Sequence, residues 1–131
     1  MKKRVVSSFI GVVLILCMSF SASAGVIVPF WDNAQTIALN LAFSGSGATG
    51  SAVINGKAGT TKITATLTLE KLVGTKYVFV DSWSGSSSSS TLAFSGTASG
   101  ITSGTYRLTC VSNVTRNGSV ETITNSISRV K

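Results

Sequence analysis

The sequence predicts an all-β protein, an antiparallel β-sandwich of about seven strands. Three observations carry that prediction. Apolar and polar residues alternate with period two, most clearly over Thr61 to Leu72. There Ile63, Ala65, Leu67 and Leu69 take one face, and Lys62, Thr64, Thr66, Thr68 and Glu70 take the other. A helix would repeat every 3.6 residues, and threonine is common where helix formers would be expected. Turn signals recur at short intervals, the spacing of a sandwich or barrel. Finally, Asn117-Gly118 is the strongest two-residue hairpin signal, because both residues tolerate the positive φ of a type I′ turn.

Counting outwards from that turn fixes a register. Arg116 faces Ser119, Ser112 faces Ile123, Cys110 faces Asn125 and Leu108 faces Ile127. Tyr106, Leu108, Cys110, Ile123 and Ile127 then share a core face. Arg107, Thr109, Asn113, Thr122, Thr124, Ser126 and Ser128 share the other, with Val111 and Val120 among them. A one-residue slip would exchange the two sets, so the register is well specified.

In chain order, residues 1–24 read as a cleaved signal peptide. Lys2, Lys3 and Arg4 precede the apolar run Phe9 to Phe20, and Ala22 and Ala24 are the small residues a signal peptidase needs. The run is shorter than the roughly 20 residues of a membrane span. A lipidated Cys17 lacks the small residue expected before it. Secretion to the extracellular space is the expectation, with no membrane among the partners once the leader is gone. Nothing like an apolar tail or sorting motif precedes Lys131, so release or non-covalent surface attachment is expected.

Residues 25–33 form an apolar N-terminal segment. Pro29 cannot donate to a sheet ladder, so an edge strand suits it. The alternative is a donor strand that completes another copy's sheet, with Val26, Ile27, Val28, Phe30 and Trp31 as the assembly residues. The sandwich domain spans 34–131. Its strands are expected at Thr36–Ser44, Gly50–Asn55, Thr61–Leu72, Tyr77–Trp83 and Thr91–Ala98, followed by the two arms of the Asn117-Gly118 hairpin. Tyr77 to Trp83 is apolar on both faces, which predicts a central strand or one bulged near Asp81. Ser84 to Ser90 contains no apolar residue and reads as a mobile loop. Tyr106, just after Gly104, sits where a tyrosine corner would. With one mature cysteine no intrachain disulfide forms, so the sandwich is immunoglobulin- or fibronectin-like without that bridge. A small β-barrel is the alternative.

Several stretches together resemble a known family. They are Gly59-Thr60-Thr61-Lys62-Ile63-Thr64-Ala65-Thr66-Leu67-Thr68-Leu69, Ser82-Trp83-Ser84-Gly85, Gly104-Thr105-Tyr106-Arg107-Leu108-Thr109, and Asn117-Gly118-Ser119 with Glu121-Thr122. Over most of residues 34–128 the chain resembles small secreted proteins of Gram-positive gut bacteria that share a domain of unknown function. The resemblance implies secretion, a compact β domain and no assigned activity, and it carries no site residues.

The residue inventory argues against catalysis. The chain has no histidine, so a serine, threonine or cysteine nucleophile lacks its usual base. Cys110 falls on the core face, where a thiol behaves as a small hydrophobe. The mature acids are Asp32, Glu70, Asp81 and Glu121. Glu70 and Asp81 flank a turn between adjacent strands and are placed to lie near one another, but isolated acids at strand ends are more often solvated or paired with lysines such as Lys71 and Lys76. Zinc lacks its cysteine and histidine ligands, calcium lacks an acidic loop, and no phosphate loop joins a strand to a helix. No cofactor or metal is expected. Removing the leader leaves eight basic and four acidic residues, a net +4. The basic residues are scattered singly, which does not make a nucleic-acid footprint. The expected function is non-enzymatic binding of a cell-surface glycan or protein, with Tyr77 and Trp83 as candidate contacts at the rim of a threonine- and serine-rich face. The alternative is a structural subunit that self-associates through its N-terminal strand.

Overall fold

A computed structural model describes residues 31–131. Seven strands follow one another: β1 (Ala34–Ser44), β2 (Gly47–Gly56), β3 (Thr60–Val73), β4 (Lys76–Ser87), β5 (Thr91–Ala98), β6 (Thr105–Arg116) and β7 (Ser119–Val130). They form two antiparallel sheets, a three-stranded one in the order β1-β2-β5 and a four-stranded one in the order β4-β3-β6-β7. The fold is a β-sandwich. The sheets stay separate rather than closing into a barrel, with β4 packed near β5 and β1 near β7.

The hairpin of β6 and β7 has the register that the turn dictates, Arg116 opposite Ser119 and Leu108 opposite Ile127. Asn117 and Gly118 both have positive φ, 50° and 80°, which matches the right-handed twist of the strands they join. The core lies between the sheets. Ile63, Leu67 and Leu69 of β3 meet Leu108 and Val114 of β6, all fully buried, and Leu41, Ala52, Ile54 and Leu92 close it from the opposite sheet. Tyr106 is buried, donates its hydroxyl to the Thr102 carbonyl at 2.8 Å, and accepts from the Thr102 amide at 3.2 Å. That pair of bonds ties the loop after β5 to the start of β6.

Two expectations need correction. Of the two readings of Tyr77 to Trp83, the central strand is overturned, because β4 is an edge strand, while the bulge near Asp81 is present. The strand's two apolar faces come from a register shift where Leu69 pairs Asp81 and Glu70 pairs Phe79, a bulge that leaves Val80 over. The serine run is not a loop as far as Ser87. Ser84, Ser86 and Ser87 pair with Thr66, Thr64 and Ile63. Backbone hydrogen bonds do not depend on side-chain polarity, so a serine strand needs only a partner. Ser88 to Ser90 alone make the turn, with the Ser89 amide donating to Ser87 Oγ at 3.2 Å and the Gly56 amide to the Ser90 carbonyl at 2.8 Å.

The inner face of the three-stranded sheet is built from small residues that admit large ones from across the core. Gly50 and Gly96 are direct cross-strand partners on β2 and β5. Trp83 of β4 lies against both. A Cβ at Gly96 would fall 2.1 Å from the indole ring, and one at Gly50 would fall 3.3 Å from it. Gly85 gives similar room to Phe94.

Candidate binding face

Strand registers place the outward side chains of the four-stranded sheet in rows. One row is Ser82, Thr68, Thr109 and Ser126; the next is Ser84, Thr66, Val111 and Thr124; the next is Ser86, Thr64, Asn113 and Thr122. Every position in these rows carries a hydroxyl except Val111 and Asn113, and none is charged. Neighbouring strands are roughly 4.8 Å apart and successive outward residues on one strand about 6.8 Å apart. The result is a two-dimensional array of groups that both donate and accept. Some satisfy each other: Thr66 and Ser84 hydroxyls are 3.2 Å apart, and Thr122 Oγ1 donates to Asn113 Oδ1 at 2.6 Å.

The row above, toward the turn between β3 and β4, changes character. It holds Phe79, Glu70, Arg107 and Ser128. Arg107 donates Nη2 and Nε to Glu70 Oε1 at 2.7 and 3.2 Å. Its guanidinium also lies 3.8 Å from the centroid of the Tyr77 ring, a cation–π contact that holds Tyr77 at the border of the array. Phe79 is 63% exposed. Thr68, Glu70, Arg107, Thr109, Thr124 and Ser126 surround a shallow depression of about 400 Å³.

The two aromatic candidates separate. Tyr77 borders the outer face. Trp83 is opposite Leu67, a fully buried core position, and its indole packs between the sheets. Phe79 and the Glu70–Arg107 pair join Tyr77 instead. The pair is a direct cross-strand contact between β3 and β6, two strands far apart in sequence, so sequence spacing gave no sign of it. Phe79 carried a weak signal in the alternation of Tyr77 to Val80, which leaves apolar residues on both faces.

The remaining chemistry-bearing residues have structural roles. Asp81 lies opposite Leu69 while Glu70 lies opposite Phe79, so the bulge turns the two carboxylates to different faces. Glu70 is paired with Arg107 and not with a neighbouring lysine. Asp81 Oδ1 accepts from the Ser82 amide. Cys110 is buried, and burial pushes its thiol pKa up to about 12.

Glu121 clamps the start of the domain. Its carboxylate accepts from the amides of Asp32 (2.9 Å), Asn33 (2.8 Å) and Ala34 (3.4 Å). Burial raises its pKa, but those three amides and the Lys57 charge outweigh that and leave it below the ordinary carboxylate value. Asn33, itself buried, donates to the carbonyls of Val114 (2.8 Å) and Ser119 (3.0 Å). Trp31 is half-buried against the core, and Lys57 Nζ donates to its carbonyl. Val26, Ile27, Val28 and Phe30 lie outside the described residues, as does the leader. Among the described residues, no three His, Cys, Asp or Glu side chains gather in a way that could hold a metal ion.

No protein-family model matches the chain, and no curated protein matches it. Among solved structures, the chain is similar to the sporulation control protein Spo0M of Bacillus subtilis, with a TM-score of 0.39 and 16% identity, over 76% of this chain and 49% of that one. The chain thus spans about half the length of that protein.

Proposed function

We propose that the protein is a secreted, non-enzymatic module that binds a surface glycan along the outer face of its four-stranded sheet. The observation that carries this reading is the uncharged hydroxyl array bordered by Tyr77 and Phe79. A neutral polyol offers matching donors and acceptors, and an exposed ring gives a sugar an apolar face to lie on. Small-molecule sites usually enclose most of their ligand. This depression is open and shallow, which suits a polymer lying across several strands. Uncharged contacts also predict binding that changes little with ionic strength. The resemblance to small secreted proteins of Gram-positive gut bacteria bears on the secretion part of this proposal alone.

The test is co-sedimentation with insoluble polysaccharides and peptidoglycan, comparing the protein with Phe79→Ala, Tyr77→Ala and Thr109→Val. Each variant alters the outer face and leaves the core untouched. Binding that falls at least several-fold in all three variants supports the proposal. Binding that the three changes leave intact, or none to any glycan, overturns it. Sequencing the N-terminus of protein recovered from the culture medium tests the secretion step.

A further inference from the structure

The hairpin of β3 and β4 projects beyond the rest of its sheet. Lys71 is the last β3 residue paired with β6, opposite Tyr106. Leu72 and Val73 pair only with Tyr77 and Lys76, around a turn in which Gly74 has φ 67°. Apolar side chains occupy both faces of this tip. Phe79 lies on the outer face, while Val73 and Val78 lie on the other, opposite Lys76 and Lys71. Their exposures are 63%, 57% and 50%, and Val130, at the same end of β7, is 74% exposed. Four of the seven large exposed apolar side chains among the described residues are therefore at this one end.

The basic residues gather there as well. Strand polarity brings Lys71, Lys76, Arg107, Arg129 and Lys131 to the tip end, against Glu70 and Asp81, a net +3. The opposite end has Lys57, Lys62 and Arg116 against Asp32 and Glu121, a net +1. Lys71, Arg107 and Arg129 are bonded within the chain, to Thr102 Oγ1, Glu70 and the Leu41 carbonyl, which leaves Lys76 and Lys131 as the ammonium groups best placed to meet a partner.

We propose that this end docks on an anionic lipid bilayer, with the hairpin tip in the interfacial layer and the surrounding lysines and arginines against the headgroups. An apolar insertion alone gives marginal attachment, and a basic patch supplies the second contribution that stable anchoring needs. The charge selects the occupant. A second copy would bring its own net +3 to the same place, whereas an anionic surface attracts it. The tip projects past the end of β6, so it can enter a deformable medium. This contact lies on the surface and is not a span, and it departs from the sequence expectation of no membrane partner because that expectation could not see the basic residues gather at one end. It rests on Val73, Val78, Lys76 and Lys131, none of which belongs to the glycan face, although Phe79 and Arg107 border both surfaces.

The experiment places an environment-sensitive fluorophore on a single introduced cysteine in the protein recovered from the culture medium. The chain carries Cys17→Ser, and Cys110 is buried. The probe sits at Val78 in one protein and at Val120, 61% exposed at the opposite end of the sheet, in the other. With vesicles of phosphatidylglycerol, the Val78 probe should shift to shorter wavelength and the Val120 probe should not. Vesicles of phosphatidylcholine should give neither shift. Near an anionic surface each basic residue is worth about fivefold in partitioning, so Lys76→Ala with Lys131→Ala should weaken the vesicle-dependent shift about twenty-five-fold. An equal response at both positions, a response to neutral vesicles, or no shift at Val78 would overturn the proposal. So would a Val78 shift that grows with protein concentration without vesicles, which would instead mark a second copy.

Discussion

Gly96→Ala should destabilise the domain although the backbone there accepts any residue. Gly96 is not among the residues with positive φ, so the obstacle is space alone. The new methyl would fall 2.1 Å from Cγ and Cδ2 of Trp83. Ordinary carbon contacts lie at about 3.5–4.0 Å, so the indole must retreat by about 1.5 Å. Gly50 and the Leu108 side chain lie along the same slot and leave little room. Overpacking of this kind costs about 1–3 kcal/mol. Loss of glycine's freedom in the unfolded chain returns about 0.4–1 kcal/mol. The expected net cost is about 1.3 kcal/mol at the centre of these ranges, read as a lower urea midpoint at unchanged slope. Trp83→Ala alone should cost about 3–5 kcal/mol through the cavity it leaves. The decisive measurement is Gly96→Ala in the Trp83→Ala background, followed by far-UV circular dichroism. With the indole gone the methyl meets empty space, so the substitution should become neutral or slightly stabilising. An equal cost in both backgrounds would refute the slot, as would a neutral Gly96→Ala beside the native Trp83.

Three further outcomes follow from the titratable and buried groups. Because the folded Glu121 has a lowered pKa, its contribution is complete above the unfolded value and is lost as pH falls through the folded one. Glu121→Gln should lower the urea midpoint near pH 7 and flatten its decline as pH falls below the ordinary carboxylate range. An unchanged pH profile would refute the clamp. Cys110, with its pKa raised to about 12, should resist a thiol reagent at pH 8 in the folded protein and react once urea unfolds it. Its contribution is intact below the unfolded thiol pKa and declines above it, by up to about 1.4 kcal/mol per pH unit. Tyr106→Phe should cost about 1–2 kcal/mol, since both Thr102 backbone groups lose their partner, and a loss below about 0.5 kcal/mol would refute the role of that hydroxyl.

Local patterns told most where a strand needed no distant information. The alternation of Thr61 to Leu72 gives the faces of β3, and Asn117-Gly118 gives the register of β6 and β7, because a two-residue turn leaves no freedom in the count. Tyr106 was also legible, since its partner Thr102 is four residues away. The sheet order is another matter. Which strand lies beside β3 depends on long-range pairing, so the two apolar faces of Tyr77 to Trp83 left a central strand and a bulge near Asp81 both open, and only the bulge is present, on an edge strand. A serine strand has no compositional mark, which hid Ser84 to Ser87. At the candidate face, the threonines were visible as polar alternates, but the Glu70–Arg107 pair needs β3 and β6 side by side. The gathering of charge was equally hidden. Lys71 and Lys76 flank a turn, Arg107 starts one strand, and Arg129 and Lys131 end another. They meet only because antiparallel strands return every second strand end to the same side.

The same segregation separates the two proposed surfaces experimentally. All three hydroxyl rows lack a charged residue, while the tip end carries a net +3. Coulomb attraction to an anionic surface weakens as the Debye length falls from about 10 Å at 0.1 M salt to about 3 Å at 1 M. Hydroxyl contacts and ring stacking do not depend on that length. Raising salt from 0.1 to 1 M should therefore reduce partitioning to phosphatidylglycerol vesicles by more than tenfold and leave glycan binding within about twofold. The Arg107–Glu70 pair lies between the two surfaces, 37% and 24% exposed, and so provides a check on the division. If it serves mainly to hold Tyr77, Arg107→Lys should weaken glycan binding, because an ammonium cannot lie flat on the ring, yet it keeps the charge that the vesicle contact uses. Loss of vesicle binding with glycan binding intact would reverse the assignment of that row.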